Sequence, residues 1–158
     1  MLRELLRPLL RGRIAVLGVG NILRGDDGFG IALVQRLTER GLPLLAVDAG
    51  TVPENHVAVA ARFAPDTVLL ADCLDHGGPP GDVAVLSGEE LSGEVVSTHG
   101  FPLSMLMDEI ARRTGAAVRL LGVQPADLTL GVELSPPVLA ALDRLESLFT
   151  HLLAPSEG

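Results

Sequence analysis

Runs of apolar residues alternate with stretches in which apolar and polar positions recur at helical spacing. Residues 14–19 are short, continuous and apolar, and glycine follows; that is how a strand buried on both faces reads. Residues 29–37 then place apolar side chains at helical spacing, with Arg36, Glu39 and Arg40 for the wet face, and Gly41 and Pro43 end the helix. Further strands are predicted at 44–47, 67–71, 82–86 and 117–123, and helices at 102–113 and 136–153. Leu2, Leu5, Leu6 and Leu9 share one face of a short amphipathic helix, which Pro8 weakens. Strands alternating with helices over one domain's length predict an α/β fold: a three-layer αβα sandwich around a mainly parallel, twisted sheet of about five strands. The expected organisation is a single domain over 14–158, preceded by an N-terminal extension over 1–13 with no assignable role.

Ligands of such sheets sit outside the C-terminal ends of the strands, so the loops after the first, third and fourth predicted strands are where chemistry is expected. The first loop reads Gly18-Val19-Gly20-Asn21, then Gly25-Asp26-Asp27-Gly28-Phe29-Gly30. It begins like a dinucleotide fingerprint, but the third glycine of that pattern would be residue 23, which is Leu23. Two carboxylates also sit where a pyrophosphate would be. Aspartate is a favoured helix cap, and one of the pair is expected to cap the following helix. A cap needs only one carboxylate, which leaves the other for function.

Asp72 follows the apolar run Val68-Leu69-Leu70-Ala71 directly. A carboxylate at that position must be paired, hydrogen-bonded or bound to a metal. A helix cap or a salt bridge to an arginine is the structural alternative, and Asp48, at the end of the second strand, is a competitor. Of the four histidines, His151 is expected at the surface and His76 solvated in a Gly/Pro-rich loop, while His99 precedes a predicted helix that Ser97 or Thr98 would cap. Two carboxylates and an imidazole form a mixed oxygen and nitrogen set suited to borderline divalent ions such as nickel or zinc, with a coordination position left for water or substrate. The gaps are 45 residues (72 minus 27) and 27 residues (99 minus 72), so only the fold can bring the three together.

Composition narrows the partners. Twenty acidic residues against twelve basic ones give a net charge of −8, which argues against nucleic acid and anionic membranes as main partners. No apolar run reaches the length of about 18 residues that suggests a membrane span. The leucine-rich opening is broken by Arg3, Glu4 and Arg7 and lacks a small-residue cleavage site, so it does not read as a signal peptide. A single cysteine, Cys73, carries no mark of an oxidising compartment, and a cytoplasmic location is expected.

Taken together, the motifs resemble those of the nickel–iron hydrogenase maturation endopeptidases. The first loop matches their first motif. Asp48-Ala49-Gly50-Thr51 with Pro53-Glu54-Asn55 is similar to their second, where Gly-Gly is more usual than Ala49-Gly50. Leu70-Ala71-Asp72-Cys73 resembles the third and Ser97-Thr98-His99-Gly100-Phe101-Pro102-Leu103 the fourth. Leu121-Gly122-Val123-Gln124-Pro125, with the Ser135-Pro136 region, matches the tail block. The resemblance runs from about Ile14 to Val138 and is closest to the branch serving formate-hydrogenlyase-type hydrogenases.

It implies an endopeptidase that removes the C-terminal extension of a nickel-loaded hydrogenase large-subunit precursor, its partner. It also implies Asp27, Asp72 and His99 as the metal-interacting set, with Asp27 and Asp72 as the catalytic carboxylates. Nickel is expected to arrive with the substrate, and the site is expected to accept other divalent metals. Many relatives carry Glu where this chain has Asp27, and Asp26 is the possible substitute ligand. The alternatives are a non-catalytic nickel-binding maturation chaperone of the same fold, a nucleotide-binding domain, and a protease of the same fold with another target, such as a spore-protein protease.

Overall fold

The computed structural model describes residues 1–91, 96–97 and 102–154. The elements run α1 (Leu2–Leu6), β1 (Ile14–Val19), α2 (Phe29–Glu39), β2 (Leu45–Gly50), α3 (Val57–Phe63), β3 (Thr67–Asp75), β4 (Val83–Leu86), α4 (Gly88–Leu91), β5 (Val96–Ser97), α5 (Leu103–Thr114), β6 (Ala117–Val123) and α6 (Pro136–Leu153). The strand order is β2-β1-β3-β6-β4, with β5 paired to β3 off this path. β2, β1, β3 and β6 are parallel, while β4 runs antiparallel on the edge. This is the expected α/β sandwich with five strands in its main sheet.

Because side chains alternate across a strand, each central strand feeds two cores. Ile14, Val16, Leu69, Ala71, Cys73, Leu121 and Val123 face α2 and α6. Ala15, Leu17, Val19, Val68, Leu70, Leu74, Val118 and Leu120 face α3 and α5. The first thirteen residues contribute Leu6 and Leu10 to the former core, both buried.

α2 lies unusually close to the sheet. A Cβ on Gly30 would overlap the Ala71 carbonyl oxygen and the Val19 backbone, and one on Gly18 would overlap the Gly30 carbonyl. The missing side chains let the start of α2 rest directly on the ends of β1 and β3.

Two sequence readings change. The strand over 82–86 is antiparallel, so the loop after it lies at the opposite end of the sheet from the expected site. The segment before it, residues 76–82, lies at the C-terminal end of β6 instead, because Val83 pairs with Val123. The third strand also runs on past Ala71 to Asp75. Helices α3 and α4 had no counterpart in the hydrophobic pattern. α3 is short and ends in a left-handed Ala64. Its last turn is closed from afar: the Arg13 guanidinium donates to the Phe63 carbonyl at 2.9 and 2.7 Å and lies 4.0 Å over the Phe63 ring.

Gly30→Ala is therefore expected to cost about 1–3 kcal/mol through overpacking, read as a lower midpoint in urea unfolding. Gly88→Ala, where among the described residues the new Cβ meets only Asp108 at 3.6 Å, serves as the control and is expected to leave the midpoint nearly unchanged.

Candidate active site

β1 pairs with β3 as far as Gly18 opposite Ala71. Asp72 is thus the first residue of β3 beyond its pairing with β1. It is fully buried, and alternation with Leu70 and Leu74 turns it toward the α3 and α5 side. One of its oxygens accepts the Cys73 N–H at 2.7 Å. Gly30 rests on the carbonyl of Ala71, so the turn just before α2 is brought beside Asp72.

That turn is a single 3₁₀ turn over Gly25–Gly28, and it packs against β3. Asn21 shapes its approach: its side-chain oxygen accepts the Leu23 N–H at 2.9 Å, and its carbonyl accepts the Arg24 N–H at 3.1 Å. Gly20, at φ +147°, passes so close to the Asp27 carbonyl that no Cβ fits. Asp27 is 4% exposed, and one of its oxygens accepts the Asn21 N–H at 3.0 Å.

Asp26 plays a different part from its neighbour. One of its oxygens accepts from the N–H groups of Ala126 at 2.8 Å and Asp127 at 3.0 Å and from the Ser135 hydroxyl at 2.8 Å. The other accepts the Ser135 N–H at 2.7 Å. Four donors thus converge on Asp26, three on one oxygen and one on the other. Neither aspartate caps the following helix by its side chain, although one of the pair was expected to; α2 starts after Gly28 without a side-chain cap. The donors to Asp26 come from more than 95 residues away, and Ser135, at the N-cap position of α6, gives its hydroxyl to Asp26 rather than to its own helix.

A second set of bonds fixes the neighbouring loop. Gln124 accepts the His76 N–H at 2.8 Å and donates to Asp75 at 3.0 Å, while its backbone pairs with Gly81 and Asp82. The bond from Gln124, followed by that from the Gly77 N–H, holds the Asp75 carboxyl below the usual range. His76, expected to be solvated, has a side chain only 10% exposed, with Nε2 3.2 Å from the Asp82 carbonyl. The tail block signalled Gln124 in the sequence, but not its role as an anchor. Asp48 is exposed and accepts the Gly50 N–H at 3.0 Å within its own turn, away from the buried pair. His151 is exposed, as expected.

His99, the third expected ligand, lies outside the described residues. Among the described residues no three of His, Cys, Asp and Glu are grouped to hold a metal ion. What the fold does bury is two carboxylates, Asp72 on β3 and Asp27 in the turn between β1 and α2 that packs against β3. Along the outer side of the same turn runs a groove of about 360 Å³, between Ile22, Gly28 and Ile31 on one wall and Glu133, Leu134 and Leu139 on the other.

An αβα sandwich that buries two carboxylates on and against β3 defines the class, an α/β protein. Comparison with known proteins narrows it. The family model for the hydrogenase maturation protease HycI matches residues 31–151. A putative hydrogenase maturation protease of Methanocaldococcus jannaschii is 29% identical over 135 residues, covering 78% of this chain and 80% of its own. The hydrogenase 3 maturation protease of Escherichia coli K12 is 27% identical over 130 residues, covering 81% and 83%. The crystal structure of the [NiFe] hydrogenase maturation protease HycI from Thermococcus kodakarensis superposes with a TM-score of 0.86 at 34% identity, covering 96% of this chain and 99% of that one. The chain belongs to the hydrogenase maturation protease family, and is thus a peptidase of that type. No helix among the described residues is long and apolar enough to cross a membrane.

Cys73 reports on the site's electrostatics. Burial pushes its thiol up, and the charges of Asp72, Asp27, Asp26 and Asp75 push the same way, so all four carboxylates act on one sulfur. The twelve basic side chains are all arginines and the chain has no tyrosine, so Cys73 is the one side chain that ordinarily titrates between about pH 8 and 11. In the unfolded chain the thiol ionises near about pH 8.5, while the folded chain keeps its proton to far higher pH. Stability is therefore fully present below that value and falls as pH rises above it, by up to roughly tenfold in the folding constant per pH unit. Urea titrations at pH 8, 9 and 10 should show this decline in the native sequence and its absence in Cys73→Ala.

Proposed function

We propose that this peptidase removes the C-terminal extension of a hydrogenase large-subunit precursor in the cytoplasm, once that precursor carries nickel. The observation that supports it best is the pair of buried carboxylates, Asp72 on β3 and Asp27 in the turn that packs against β3, in a chain of this family. A buried carboxylate is costly without hydrogen bonds, an opposite charge or a metal. A divalent ion brought in by the precursor would supply that charge to both.

In this reading Asp27, Asp72 and His99 complete the coordination of the precursor's nickel. Carboxylate and imidazole donors suit that ion, and other divalent ions of similar preference would be accepted too. Recognition then depends on loading, because an empty precursor offers no cation to the two carboxylates. For the cleavage, water adds to the scissile carbonyl. Asp27 or Asp72 accepts the water's proton and returns it to the departing amine, while the substrate's nickel polarises the carbonyl.

Asp72→Asn and His99→Ala are expected to abolish loss of the C-terminal peptide from a loaded precursor, followed by mass spectrometry, while unfolding midpoints stay near that of the native sequence. Processing at the native rate by both variants would sink the assignment. Binding of the loaded precursor by the native chain without any shortening would favour the chaperone alternative.

A further inference from the structure

We infer that Asp26 is a positioning residue for the reaction: a buried latch that fixes the direction of Asp27 by tying the first loop to the segment before α6. The inference rests on the reading of Asp27 as a site residue.

The geometry has three parts. Successive side chains on a 3₁₀ turn project about 120° apart, so fixing the direction of Asp26 fixes that of Asp27. Asp26 is fixed: it is fully buried and accepts four hydrogen bonds from Ala126, Asp127 and Ser135. The backbone adds to the latch, since the Asp26 N–H donates to the Asp127 carbonyl at 2.9 Å and the Gly131 N–H donates to that of Leu23 at 2.8 Å. Gly25 meets the Asp127 carbonyl so closely that no Cβ fits there, which puts the two segments in contact.

The latch requires a side chain that accepts through both of its terminal atoms. Three donors converge on one oxygen and one on the other. An asparagine of the same shape would have to turn its NH₂ group toward at least one of these N–H donors, whichever way the amide faced. Four hydrogen bonds also satisfy this buried polar side chain. A residue that served only as a helix cap would not need donors from a segment a hundred residues away.

The test uses the full chain with Asp26→Asn, and with Ser135→Ala as a milder variant that removes only the hydroxyl donor. Amide hydrogen exchange at Ala126, Asp127 and Ser135 is expected to quicken tenfold or more in Asp26→Asn. Its kcat on a nickel-loaded precursor is expected to drop at least tenfold with KM less affected, and Ser135→Ala should shift both readouts in the same direction by less. In an Asp27→Asn background, adding Asp26→Asn is expected to cause no further loss of loaded-precursor binding, because the latch acts through Asp27. Native exchange rates and native kcat in Asp26→Asn would overturn the inference, as would a full additional loss of binding in the double variant. A fault in the underlying site reading would show separately, as native processing by Asp27→Asn alone.

Discussion

The site depends on one steric constraint: the start of α2 must touch the ends of β1 and β3. Gly18 and Gly30 allow it, since a Cβ on either would overlap backbone atoms across the contact. Helices resting on sheets are normally held off by the side chains between them. Here the gap is closed at one end of the helix, and that end carries the turn with Asp26 and Asp27. The glycines thus serve packing, and the packing sets that turn against β3.

Around that contact two adjacent aspartates divide the work. Asp26 spends its acceptor capacity on the protein's own backbone and on Ser135. Asp27 accepts the Asn21 N–H within the first loop, and Asp72 lies on β3 one residue past its last pairing with β1. The thiol of the buried Cys73 is pushed up by burial and then by the charges of Asp72 and Asp27.

Much of this was legible in the chain. The continuous apolar runs at 14–19 and 117–123 and the periodic stretch from Pro136 to Leu153 match β1, β6 and α6 residue for residue, because buried parallel strands and a long amphipathic helix leave strong local patterns. α4 left a weaker mark: Ser87 and Glu90 form a reciprocal cap, the Ser87 N–H reaching the Glu90 carboxylate at 3.0 Å, and an S-x-x-E spacing was there to be seen. α3 was harder, since its closure depends on Arg13, some fifty residues earlier. The direction of β4 and the burial of His76 depend on β6 and Gln124, which no local pattern encodes. The capping role expected of the aspartate pair failed for the same reason: Asp26 has partners at 126, 127 and 135. Local chemistry identified the residues that matter, while long-range contacts decided what each one does.

The most direct measurement is mass spectrometry of the organism's own hydrogenase large-subunit precursor, prepared with and without nickel and incubated with this chain. The account requires loss of a single C-terminal peptide from the loaded precursor and an intact empty one. Equal shortening of both would contradict it, because the two carboxylates would then be cutting without reading the metal.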